Sequence, residues 1–116
     1  MRDLLVQAAG SLGIAAAFVH GYLGERRLFA TARIEPSRTR LVLRLVLHCS
    51  VVAWAAMGVL LILLPTIGSD KARIAIIAAG GAVYGFAAIG NAWASRGRHF
   101  GWVLLSVVVG LALAGL

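Results

Sequence analysis

Acidic residues are nearly missing from this chain. Asp3, Glu25, Glu35 and Asp70 are the only four in 116 residues, and each falls at or beyond the end of an apolar run. Charged residues of both signs make up 13% of the total, against about a quarter in a water-soluble domain. So little charge cannot dress a soluble surface, and the length suits one domain.

Cysteine is scarce too. Cys49 stands alone, which excludes an intrachain disulfide and makes a poor metal site. Within its apolar run it is expected to be a small, buried packing residue. Enzyme signatures are also lacking: there is no Ser/His/Asp arrangement, glycine-rich phosphate loop, HExxH helix or pair of catalytic carboxylates. Without HxxxH spacing or a carboxylate pair, His20, His48 and His99 do not read as a metal set. The first apolar run contains no carboxylate, which separates the chain from the small multidrug exporters of similar length and span count. No internal repeat is visible, since His20 has no counterpart in the third run. An inverted-repeat transporter is therefore unsupported within one chain, although an antiparallel homodimer would supply the symmetry.

Apolar residues are what the chain has in abundance. They form 61% of it, and mean hydropathy is +0.94. A helix needs roughly 20 apolar residues to cross a bilayer core of about 30 Å. Four continuous runs meet or approach that length, at residues 4–24, 41–64, 72–94 and 100–116, the last being the shortest. Continuous rather than alternating apolarity favours helices over a β-barrel. The fold class expected is all-α, a bundle of four transmembrane helices in a single membrane domain. The first run ends in Gly24-Glu25-Arg26-Arg27 rather than at a small-residue cleavage site, so it is expected to be retained.

The net charge of +7 is carried by ten arginines and one lysine. Their positions between apolar runs read as topology signals and anionic-lipid contacts, not as a nucleic-acid surface. Segment 25–40 holds Arg26, Arg27, Arg33, Arg38 and Arg40, and the short link Ser95-Arg96-Gly97-Arg98-His99 holds two more arginines. With Arg44, eight basic residues share one side, against Arg2, Lys71 and Arg73 on the other. The positive-inside rule puts the basic segments in the cytoplasm and both termini outside, in a multi-pass protein of the inner membrane. Segment 25–40 is either a short interfacial helix continuing the first run or an irregular basic loop. Pro36-Ser37 offers a turn and a helix cap, and residues 65–71 read as a compact turn opened by Pro65. Small residues at four-residue spacing in the first run (Ala9, Gly13, Ala17 and Gly21) and along one face of the third (Gly81, Gly85, Ala88 and Ala92) are the expected close contacts.

Ionisable groups at membrane depth are expensive and mark function by default. His20, His48, Asn91 and His99 all fall near the basic end. Arg44 and His48, four apart, share a helix face, and Glu25 is within reach of Arg44 or Arg26. Paired histidines on facing helices suit axial ligation of haem b, the hydrogen bonding of a quinone head group, or a proton relay. The competing reading is structural, each histidine merely bonding a neighbouring helix at about 0.6–2 kcal/mol. His99, in a basic turn, reads as solvated, which leaves His20 and His48, with Arg44, as the cofactor-binding candidates.

The segment His20-Gly-Tyr-Leu-Gly-Glu-Arg-Arg-Leu-Phe, followed by Pro36, His48 and Trp54, resembles a group of short four-span bacterial inner-membrane proteins of unknown function. The stretch Gly97-Arg98-His99-Phe-Gly-Trp102 adds to the likeness, which covers most of the chain and implies no activity. The leading functional expectation is a non-enzymatic accessory subunit or helix-packed oligomer, its partners other membrane subunits, a second copy and anionic lipid. A redox protein binding haem or quinone through His20 and His48 is one alternative, and a small dimeric permease another.

Overall fold

The computed structural model describes residues 1–116, and all of its regular structure is helical. Helix α1 covers Arg2–Leu23 and runs on without a break into a π-helical turn, Gly24–Phe29. Helices α2 (Ser37–Ile67), α3 (Asp70–Ser95) and α4 (Gly101–Ala114) follow. α1 with its extension, α2 and α3 are each long and apolar enough to cross a membrane, whereas α4 has 14 residues. The bundle measures 49 × 26 × 17 Å. α1 packs along both α2 and α4, α3 along α4, and α2 against α3 more sparsely.

Two boundaries differ from the sequence expectation. Pro65 lies inside α2 and does not open the turn. Pro65 has no N–H to give the Leu61 carbonyl, so one bond of the ladder is missing, but the helix runs on and the stop comes three residues later at Gly68, whose φ of 65° is left-handed. The turn shrinks to Gly68 and Ser69, and the Ser69 side chain caps α3 by accepting the Ala72 N–H at 3.3 Å. At the start of α2 the cap position is Pro36 itself, with no side-chain cap bond. Segment 25–40 resolves into both forms considered for it, a helical turn and then an irregular stretch from residue 32 to 36.

The small-residue face of α1 is buried at Ala9, Gly13, Ala17 and Gly21, as expected. Its closest neighbour is α2. A Cβ on Gly58 would stand 2.7 Å from the Gly10 carbonyl oxygen, and one on Gly21 2.9 Å from Val51. Only glycine lets these backbones approach so far. The expected stripe on α3 is buried only at Ala88. Nothing lies within 4 Å of a Cβ on Gly81 or Gly85, and the residues buried with Ala88 are Ile77, Gly80 and Tyr84. The face is turned by Tyr84, whose fully buried ring fills the space over Gly13 and whose hydroxyl donates to the Trp54 carbonyl at 2.6 Å.

Nineteen residues are buried, and apart from Tyr84 none is polar or charged. The apolar remainder faces outward, including Phe86 at 81% exposure, Trp93 at 84% and Val52 at 68%. Cys49 is exposed as well, contrary to expectation. In residues 37–49 of α2 every residue but Leu47 is exposed, while the buried face of α2 is Gly58, Leu61 and Leu64.

Candidate functional site

The basic end of the bundle carries two polar assemblies, and they divide the residues singled out from the sequence. The first is ionic and lies between the π-turn and α2. One carboxylate oxygen of Glu25, Oε1, accepts from Arg44 Nε at 2.7 Å and lies 2.8 Å from His48 Nε2. Arg44 and His48 share a face of α2 because they are four residues apart. The π-turn brings Glu25 to them: its i→i+5 bond, from Ala30 N–H to the Glu25 carbonyl at 2.9 Å, adds a residue to the turn. Glu25 thus pairs with Arg44 rather than with Arg26, whose guanidinium sits 5.8 Å above the Tyr22 ring. Arg40 donates to the Phe29 carbonyl. Arg33 makes a 3.5 Å surface pair with Glu35, of the kind that contributes little stability. Arg38, Arg96 and Arg98 stand exposed.

The second assembly is a cavity of about 440 Å³, walled by all four helices and the π-turn. Most of its lining is apolar, with Ala16, Val19, Leu23, Leu47, Leu104 and Leu105 among the walls. Its polar lining consists of His20, Arg27, Asn91, Ser95 and His99. That volume and this mixture, apolar walls with a few convergent polar groups, are those of a small-molecule site.

The hydrogen bonds fix what each group offers. Ser50 Oγ spends its only proton on the Leu47 carbonyl at 2.6 Å, so across the 3.1 Å contact His20 Nε2–H donates to it. His20 therefore keeps Nδ1 as an acceptor, with its ring stacked on Trp54 at 4.5 Å. His99 is the same tautomer with its other nitrogen engaged. Its Nδ1 accepts the Gly101 N–H at 3.1 Å, so the neutral ring carries its proton on Nε2 and presents a donor. The His99 ring stacks on Phe100 at 4.8 Å. Asn91 belongs to the same corner: a Cβ on Gly101 would lie 2.8 Å from His99 Nδ1 and 3.0 Å from Asn91 Nδ2. Gly101 keeps that corner open.

The chain matches no protein-family model, no curated protein and no solved structure.

Its site is read from geometry alone, and the geometry regroups the histidines. His20 and His99 share the cavity, while His48 is held outside it by Glu25. His99 is half-buried on the cavity wall and not a freely solvated turn residue. His20 and His48 therefore do not line one cavity, as a shared iron or quinone would need. Sequence reasoning overlooked Arg73, at the other end of the bundle. Arg73 bonds Asp3 of α1 and donates to the Gly115 carbonyl, the latter at 2.7 Å. The signal available was an arginine at the start of the third apolar run, on the same side of the bundle as Asp3, the only acid of the first helix.

Proposed function

We propose that this chain is a four-span integral protein of a bacterial inner membrane that binds a membrane amphiphile and performs no chemistry on it. In this reading both termini face outward, the arginine-rich end lies at the cytoplasmic surface, and the cavity opens within the inner leaflet. One observation carries the binding role: polar groups from α1, α3 and the α3–α4 link converge inside otherwise apolar walls. The membrane setting is supported by three helices of spanning length and by the outward apolar surface. A fourth crossing by α4 is supported by its short link to α3 and by its packing along α1 and α3. Its 14 residues rise about 21 Å, less than a bilayer core, so the span includes the residues around it.

Two measurements test the reading. In a Cys49→Ser background, Ser69→Cys is expected to react with a membrane-impermeant maleimide in intact cells, and Arg33→Cys only after lysis. The reverse pattern sinks the orientation. Native mass spectrometry of gently extracted protein is expected to show one amphiphile per chain. A bare chain under mild detergent sinks the binding role.

A further inference from the structure

Resting on that reading of the cavity, we infer that its occupant is an anionic phospholipid, held one per chain by its phosphate. Charge is the first reason. Both acids at this end are already engaged, Glu25 by Arg44 and His48 and Glu35 by Arg33. Arg27, the one cation on the cavity wall, has no anion, nor have Arg26, Arg96 and Arg98 around it. A site bordered by so many uncompensated guanidinium groups offers a phosphate charge-assisted bonds and disfavours a head group that carries a cation beside its phosphate.

The second reason is the hydrogen-bonding set. Asn91 and His99 stand together around Gly101, the amide and Nε2–H as donors suited to phosphate oxygens, with the Arg27 guanidinium at the rim. His20 Nδ1 is an acceptor, the partner for a hydroxyl in the head group. The third reason is the way in. Val19, Leu28 and Phe100 line the cavity and are themselves exposed, at 39%, 49% and 55%. An apolar rim of this kind admits a chain-bearing molecule sideways from a bilayer and offers a water-borne phosphate little. The lipid's phosphate lies at Arg27, Asn91 and His99, and an acyl chain lies against Leu104 and Leu105.

Trp54 lines the cavity and makes a built-in reporter. In full-length protein carrying Trp93→Phe and Trp102→Phe, the remaining indole is reconstituted into vesicles containing lipids brominated on the acyl chain. Brominated phosphatidylglycerol is expected to quench at mole fractions about tenfold below those of brominated phosphatidylcholine, whose choline cation would face the unpaired guanidinium groups. Arg27→Gln, at an exposed position that folding does not depend on, is expected to abolish that preference. Gly101→Leu, which fills the donor corner, is expected to reduce quenching by both lipids to the level of bulk contact. Equal quenching by the two lipids, with Gly101→Leu still blocking it, overturns the anionic head group while the amphiphile cavity stands. Quenching that Gly101→Leu leaves unchanged overturns both. Reversal of quenching by soluble glycerol phosphate assigns the site to a free phosphate and overturns the lipid.

Discussion

Single residues decide how closely this bundle packs. Tyr84 does two things at once: its ring occupies the space that Gly13 leaves, and its hydroxyl satisfies the Trp54 carbonyl. Separating the two is straightforward. Tyr84→Phe is expected to cost about 1 kcal/mol, the net worth of one hydrogen bond. Tyr84→Ala also opens a cavity and is expected to cost about 3–5 kcal/mol. Thermal unfolding in a fixed detergent reads both. Gly10→Ala belongs to the same scale, because its Cβ meets the Gly58 carbonyl, which is backbone and cannot step aside. The two helices must part, at an expected cost of about 1–3 kcal/mol. The residue scale is also where the sequence was least informative. The buried positions of α1 could be read from its small-residue spacing, but α3 has small residues on several faces. Which of them packs is decided by where Tyr84 fits, and that depends on a hole in another helix.

Elements were legible where apolarity is continuous, and their ends were not. The four helices follow from four apolar runs, because a continuous run has only one way to satisfy its backbone away from water. Pro65 misled for a local reason: its cost depends on how many helical bonds remain beyond it, and only the last turn does. The true stop is Gly68. Gly68→Ala forces a Cβ into left-handed backbone with nothing gained in packing, and is expected to destabilise by about 1 kcal/mol without shortening α2. Circular dichroism gives the helix content and unfolding the cost. The π-turn was legible only as an interfacial extension, since its extra residue serves a contact, Glu25 with Arg44 and His48, that spans two helices. Glu25→Gln leaves Arg44 without its anion and weakens the contact to His48. Faster amide exchange confined to residues 24–30, with α1 unaffected, is the expected result, measured by hydrogen–deuterium mass spectrometry. Unchanged exchange would mean the backbone alone holds the turn. The cavity itself was half legible. Depth along the runs gathers His20, Asn91 and His99 at one end, but only the reversal after Arg96 (φ 51°) and Gly97 (φ 73°) turns His99 inward.

At the scale of the whole molecule the two ends differ in kind. The arginine-rich end is open, with a cavity and an excess of positive charge. The other is closed by Arg73, its side chain only 14% exposed, which binds Asp3 and Gly115 together. Arg73→Gln is expected to loosen the first turn of α1 and the last of α4 together, seen as matched gains in amide exchange at both, with the cavity end unmoved. One guanidinium touching the third residue and the second-last means that the chain's two ends are neighbours in space. The order in which the helices are strung is then a convention of the gene and not a demand of the packing. A circular permutant that joins residue 116 to residue 1 through a few flexible residues, and opens the chain within 32–36, keeps every helix–helix contact. It is expected to assemble into the same bundle with its new ends on the arginine-rich side, so that, in the proposed four-span arrangement, a tag placed there changes faces of the membrane while the protein does not.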